Sequence, residues 1–248
     1  MAEFVVVGGT GQIGAKTVSR LRESGRDAVA ASPSTGVDLL TGAGLDAVLQ
    51  GARVVIDVSK PRATAPDAVH EYFTSGMANL LRAEREHGIR HHLALSIVGS
   101  DRHDVPFYAG KVAGERAVRE SAVPCTIVHA TQFFEFAPAI AAQAEADGVV
   151  TLPDALVQPC AGADVADLLV ELALGEALSA DLDVAGPDRM PLAEFVSRAL
   201  LATGDHRVVH AGPTGMYFGG GLEREALVPG PDARILPTSF GAWLLAHS

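Results

Sequence analysis

Apolar and polar residues alternate between two periods over the first 130 residues of this 248-residue chain. Phe4–Val7 is a short, continuous, valine-rich run, which predicts a strand buried on both faces of a parallel sheet. Ile13, Val18 and Leu21 then recur at near-helical spacing until Gly25 interrupts them. The alternation continues with predicted strands at about 28–32, 36–39, 54–58, 92–98 and 126–130, and helices at about 45–49, 67–87 and 107–120. Within 67–87, Val69, Phe73, Met77, Leu80 and Leu81 share one stripe, and Gly88 stands where a helix C-cap belongs. Strands alternating with helices predict an α/β fold, a Rossmann-type doubly wound parallel sheet with right-handed crossovers. Eight of the 14 prolines fall in the last 98 residues. The expected organisation is therefore a nucleotide-binding domain over 1–150 and a small, irregular C-terminal substrate lobe over 151–248 packed on it. Helices near 164–174 and 192–202 and a strand near 182–185 are its predicted regular parts.

Composition narrows the expected role. Acidic residues outnumber basic ones 30 to 19, for a formal charge of -11. That field repels a phosphate backbone, so nucleic acid is not an expected partner. Cys125 and Cys160 lie far apart with no CxxC or Cys/His cluster, so neither a metal site nor a disulfide is expected. No apolar stretch has the length of a signal peptide or membrane span, which predicts a cytoplasmic protein without a membrane partner.

The run Gly8-Gly9-Thr10-Gly11-Gln12-Ile13-Gly14 connects the first strand to the first helix. Glycines at 8, 11 and 14 let the backbone turn tightly, approach a pyrophosphate and present helix N-terminal amides to it. Gly8, Thr10, Gly11, Gln12, Ile13 and Gly14 are accordingly candidate cofactor contacts, the alternative being a structural glycine turn. A Walker-type loop is excluded because no Gly-Lys-Ser/Thr follows. The second strand ends in Ala30-Ala31-Ser32-Pro33-Ser34-Thr35, without the carboxylate that would accept a ribose 2′-hydroxyl. Its absence favours NADP(H) over NAD(H), although no arginine is present to clasp a 2′-phosphate. Ser32, Ser34 and Thr35 either donate to that phosphate or serve as turn residues. Asp38 either meets the adenine amino group or is a solvated carboxylate. Val58, Ser59 and Lys60 fall at the carboxyl end of the strand at 54–58, where doubly wound sheets bind ligands, with a solvated loop lysine as the alternative for Lys60.

Gly8–Gly14 resembles the fingerprint of atypical short-chain dehydrogenases/reductases, especially the NmrA-like NAD(P)H-binding group. Ala31–Asp38, His92–Gly99, Ala130–Glu135, Val157–Pro159 and Val184–Pro187 extend the resemblance over nearly the whole chain. That group includes reductases of quinones, dyes and phenylpropanoids, and sensors that bind NADP without turnover; a homodimer is implied by the resemblance alone. In the main branch of the superfamily a tyrosine and a lysine four residues apart face the nicotinamide. Lys111 matches the lysine, but Phe107 occupies the tyrosine position. Tyr108, three residues before Lys111, is either the proton donor or an amphipathic residue at the pocket rim. Ser96, on the strand at 92–98, is preferred over Ser100 as the third hydroxyl, so Ser96, Tyr108 and Lys111 form the candidate catalytic set. His129, Gln132, Phe133 and Phe134, on and after the strand at 126–130, either line a substrate pocket or pack the interior, and His91 and His92 are assigned no chemistry. The expected activity is NADPH-dependent reduction of a small conjugated or quinone-like carbonyl compound, whose delocalised product anion can take its proton from water. A redox sensor without turnover and a non-redox tailoring enzyme are the alternatives.

Overall fold

The computed structural model describes residues 2–63, 65–102 and 106–247. Strands β1 (Phe4–Val7), β2 (Ala28–Ala31), β3 (Val54–Asp57), β4 (His91–Ile97) and β5 (Cys125–Ala130) alternate with helices α1 (Gln12–Glu23), α2 (Leu45–Leu49), α3 (Pro66–Glu71), α4 (Met77–His87) and α5 (Pro106–Glu120). There follow α6 (Ala137–Gln143), β6 (Glu145–Ala146), β7 (Val149–Leu152), β8 (Leu156–Val157), α7 (Gly162–Leu174) and β9 (Ala180–Ala185). The chain continues through β10 (Met190–Pro191), α8 (Leu192–Ala202), β11 (Val208–Ala211), β12 (Arg234–Ile235) and α9 (Phe240–His247). The main sheet has seven strands in the order β12-β9-β5-β4-β3-β1-β2, a Rossmann-like α/β fold. Val7 is opposite both Ala31 of β2 and Asp57 of β3, and Asp57 is opposite Ala94 of β4. These parallel registers bring the carboxyl ends of β2, β1 and β3 level, which is where a doubly wound sheet offers its ligand crevice.

The chain divides into two compact units. One comprises Met1–Ser96, Pro106–Val128 and Val165–Leu182. Its core packs Val5, Val7 and Val55 of the sheet against Leu45 and Leu49 of α2, Leu80 and Leu81 of α4 and Val118 of α5. The other comprises Ile97–Val105, His129–Asp164 and Asp183–Ser248. There the fully buried rings of Phe134, Phe195 and Phe240 form an aromatic centre, with Phe240 5.1 Å from Phe134 and 5.0 Å from Phe195.

The predicted strand at 36–39 is absent. Gly36 turns the chain at φ +84°, the Val37 amide returns to the Ser32 carbonyl, and the Asp38 amide bonds the Ala43 carbonyl. Val37 and Leu39 are buried in the first unit's core, so their alternation marks two anchors of a loop rather than a pleated edge. The Asn79 side-chain amide fixes that loop by donating to the Leu39 and Leu40 carbonyls, at 2.9 and 3.0 Å. The predicted helix at 67–87 carries a π turn, Tyr72–Gly76, between α3 and α4. The three-stranded sheet β11-β7-β6 and the terminal α9 were not predicted, because strands of two to four residues give too few positions to show a period. No helix among the described residues is long and apolar enough to cross a membrane.

Candidate functional site

The turn from β1 into α1 is built from glycines doing different jobs. Gly8 stands at φ +79°, and a Cβ there would lie 2.8 Å from the Ser59 Cα. A Cβ on Gly14 would lie 2.3 Å from the Gly8 carbonyl oxygen, and one on Gly9 2.6 Å from that of Val6. These three glycines are required by the protein's own packing. Gly11 differs: it is exposed, has φ -80°, and a Cβ there would meet only the Gly8 oxygen, at 3.2 Å. Its amide is used inside the loop, donating to the Gly8 carbonyl at 2.9 Å. The helix behind it has no side-chain cap and no acidic residue in its first turn. The amides of Gln12, Ile13 and Gly14 therefore have no intrahelical acceptor, and the positive end of the helix dipole is not neutralised. A pyrophosphate fits this loop sterically and electrostatically.

Beside the loop, Asp57 is buried at the end of β3 and accepts the Ser59 amide at 2.9 Å. Ser59 is 7% exposed. The Tyr72 phenol is a side-chain hydrogen-bond partner of Ser59. Burial, reinforced by the Asp57 carboxylate, pushes the Tyr72 pKa well above the usual tyrosine value, so this phenol stays protonated throughout the physiological range. At the end of β2, the Thr35 hydroxyl accepts the Ser32 amide at 2.9 Å, and the Ser32 and Ser34 hydroxyls pair at 2.8 Å. The Asp38 carboxylate accepts the Leu40 amide at 2.8 Å. All four predicted residues thus also fold their own loop.

The β4–α5 region is organised otherwise, because its polar groups engage one another. Ser96 Oγ donates to the buried Glu115 carboxylate, whose other oxygen accepts from Arg119 at 2.9 Å. Arg119 also bonds Asp181 at 2.7 Å. Lys111 Nζ donates to the Leu95 carbonyl at 2.7 Å and lies 5.0 Å from the centroid of Phe73. Burial pushes the Lys111 pKa down, against the pull of Asp57 and Glu115. The Phe107 ring packs edge-on to Phe73, 5.8 Å between centroids, and Tyr108 is only 3% exposed.

In the second unit, His129 Nδ1 is 3.3 Å from Asp183 Oδ1. Gln132 is buried with its side-chain oxygen unpaired. Phe133 lies 5.7 Å from Phe136, while Phe134 is fully buried against Phe240 and Trp243. Sequence reasoning missed Tyr72, Asn79 and Glu115. Glu115 was accessible in principle, since it stands four residues after Lys111 on the same helical face. Among the described residues there is no group of three or more His, Cys, Asp or Glu side chains that could hold a metal.

No protein-family model matches the chain, and no curated protein matches it by sequence. Solved structures match its fold over most of their length. A dTDP-4-dehydrorhamnose reductase from Bacillus anthracis, in complex with NADP, superposes with a TM-score of 0.73 at 15% identity, over 100% of this chain and 98% of that one. MoeE5 in complex with UDP-glucose and NAD gives 0.72 at 19% identity, over 99% and 97%. The UDP-glucose 4-epimerase of Thermus thermophilus in complex with NAD gives 0.71 at 17% identity, over 98% and 92%. The class so defined is one of fold, the Rossmann-like architecture that these dinucleotide-bound proteins share with this chain.

Proposed function

We propose that the chain is an NAD(P)H-dependent reductase, with NADPH preferred, acting on a small conjugated or quinone-like carbonyl compound. The observation that carries this reading is the uncapped start of α1 behind Gly11, whose open amides suit a pyrophosphate. The solved structures of this fold bound to NADP and NAD support it. Gly8, Thr10, Gly11, Gln12, Ile13 and Gly14 cradle the phosphates, Asp38 holds the adenine, and Val58, Ser59 and Lys60 border the crevice. The β2 end lacks a carboxylate, so Ser32, Ser34 and Thr35 are left to receive a 2′-phosphate. The dinucleotide, when bound, would supply hydride from its nicotinamide. Lys111 holds its ribose, while Ser96 and Tyr108 are the hydroxyls assigned to the reacting side. His129, Gln132 and Phe133, which belong to the second unit, contribute to holding the acceptor.

Phe107 decides the substrate class. It has no proton to give, and a positioned acid contributes roughly 100- to 10,000-fold to rate. An acceptor that spreads the incoming charge over a conjugated system needs that acid least. The test is a fluorescence titration with NADPH and NADH, followed by NADPH consumption with a panel of quinones, enones and simple ketones. Saturable binding with turnover on the conjugated acceptors alone is the expected result, and turnover on simple ketones alone would reject the substrate class.

A second reading, a redox sensor that binds NADP without turnover, is favoured by the engagement of Ser96 with Glu115 and of Lys111 with the Leu95 carbonyl. Tight binding without consumption of NADPH by any acceptor would select it.

A further inference from the structure

Residues 212–222 of the second unit carry none of the roles assigned above, yet they hold a backbone conformation that one of their side chains disfavours. Tyr217 and Gly220 exchange both backbone hydrogen bonds, at 2.8 and 3.1 Å, and so close a two-residue hairpin over Phe218 and Gly219. Both central residues have positive φ, +47° and +85°, a turn whose first position suits asparagine or glycine. A bulky phenylalanine is held there only at a cost in strain. Core packing does not offset that cost, because Phe218 is only half-buried. Its ring packs edge-on to that of Tyr217, 4.8 Å between centroids, and Tyr217, 3% exposed, anchors the hairpin.

The hairpin rises from the wall of a cavity of about 550 Å³. Gly215 and Gly221, which bracket residues 216–220, both line it, together with Pro153, Asp154, Pro213 and Leu222. Gly215 seats the first leg on β7, since a Cβ there would lie 2.1 Å from the Leu152 carbonyl carbon. The volume is that of a small-molecule site, and the wall is mostly backbone and apolar side chains. Its carboxylate, Asp154, is matched by the Arg224 guanidinium, 2.9 Å from each oxygen, so this pair adds no net charge.

We propose that this cavity, with Phe218 as a platform at its rim, binds a planar, uncharged conjugated ring. Identifying that ring with the acceptor rests on the reductase reading. The Phe218 ring, fixed by its backbone and by Tyr217, offers a flat aromatic surface on which such a ring stacks. The strain then has a function: it aims an aromatic face where glycine would relax the turn but leave the rim bare.

The experiment is calorimetric titration of wild type, Phe218→Gly and Leu222→Ala with 2,3-dimethyl-1,4-naphthoquinone, a quinone with no free position for thiol addition, followed by turnover with NADPH. Phe218→Gly is expected to raise the melting temperature by about 2–4 °C as strain is released, yet to bind the quinone about 3- to 10-fold more weakly. Leu222→Ala should also weaken the quinone, and neither change should alter NADPH affinity. Where NADPH is consumed, KM for the quinone should rise by the same factor with kcat little changed. A stabilised Phe218→Gly that binds the quinone like the wild type would overturn the platform. Turnover with unaltered KM in both variants would overturn the site while leaving the reductase reading intact. Binding that is sensitive to both substitutions, without consumption of NADPH, would support the site and reject the reductase. Failure of the wild type to bind the quinone would overturn both.

Discussion

The turn at Gly8–Gly14 and the β4–α5 face lie in the same unit of the fold and treat their polar groups in opposite ways. At the turn, polar groups are left open: the first amides of α1 have no side-chain cap and no acidic residue in the first turn. On the β4–α5 face they are consumed internally, with Ser96 on Glu115, Glu115 on Arg119, Arg119 on Asp181 and Lys111 on a backbone carbonyl. Buried polar groups are normally satisfied; the second pattern is a network that secures a helix, and under the proposed function the first is a surface that a ligand would complete. The difference separates the two halves of the functional reading. The proposed cofactor binding rests on groups that lack a partner, whereas the proposed chemistry rests on groups that already have one.

The sharpest way to break this comparison is a pair of glycine substitutions in one loop. Gly14→Ala places a Cβ 2.3 Å from the Gly8 carbonyl oxygen, an overlap that only backbone movement relieves. The expected cost is about 3 kcal/mol or more, seen as a lower urea midpoint together with lost nucleotide binding. Gly11→Ala meets one oxygen at 3.2 Å in an ordinary backbone conformation. It should cost about 1 kcal/mol or less in stability while weakening NADPH binding at least tenfold. If Gly11→Ala binds NADPH like the wild type, the open helix start is not a phosphate site.

Glu115 tests the other region. Glu115→Ala strands the buried Ser96 hydroxyl and removes one of the two carboxylates on Arg119. Leaving such groups unpaired costs about 2–3 kcal/mol. Glu115→Gln keeps an acceptor for Ser96 and should cost about 1 kcal/mol. Neither change should alter NADPH affinity more than about twofold, and a large loss of affinity in Glu115→Gln would erase the distinction between the two regions.

The same contrast explains what was legible in the sequence. The turn was legible because close approach of the backbone to itself at Gly8 and Gly14 restricts residue identity at fixed spacing, and the flanking Phe4–Val7 and Ile13–Leu21 patterns marked the strand and helix. The sequence also pointed to Lys111, but not to its pairing with the Leu95 carbonyl, because a donor's acceptor is set by tertiary packing. Glu115 looks like any solvated helix carboxylate until β4 is placed beneath it. The error at 36–39 has a similar origin: two buried side chains at i and i+2 satisfy a strand period equally well as anchors of a turn. The π turn was invisible because Val69, Phe73, Met77, Leu80 and Leu81 fit one helical stripe with or without it.

A third group of polar residues, at the amino end of β4, sharpens the comparison through pH. His91 bonds Thr126 at 3.0 Å, and His92 bonds the fully buried Glu84 at 2.8 Å. Burial, with His92 adjacent, pushes the His91 pKa down to about 4. Its contribution to stability is therefore complete above the ordinary histidine pKa and is lost as pH falls from about 6.5 towards 4, at most about 3 kcal/mol. His92 has the opposite sign. Burial alone would lower its pKa, but the Glu84 carboxylate more than reverses this and raises it, so its contribution is lost as pH rises through the folded value. Urea midpoints should peak near neutrality and decline on both sides, with His91→Asn flattening the acid limb. Affinity of the folded protein for NAD+, whose pyrophosphate does not titrate in this range, should stay level over this acid limb if the glycine loop is independent of these residues.

The smallest effect belongs to Asn79, which ties the α4 helix to the loop carrying Asp38. Its amide makes two hydrogen bonds to backbone carbonyls, a part-buried one to Leu39 and an exposed one to Leu40. Water replaces such bonds at little loss, so Asn79→Ala should lower stability by about 1 kcal/mol. The loop would nonetheless keep Val37 and Leu39 in the core and lose only its fixed position over Asp38. Ordering it again on binding should weaken 2′,5′-ADP a few-fold and leave reduced nicotinamide mononucleotide unaffected. Equal loss for both ligands would mean that Asn79 supports the whole unit rather than the adenosine end, and would place it with Glu115 instead of with the glycine turn.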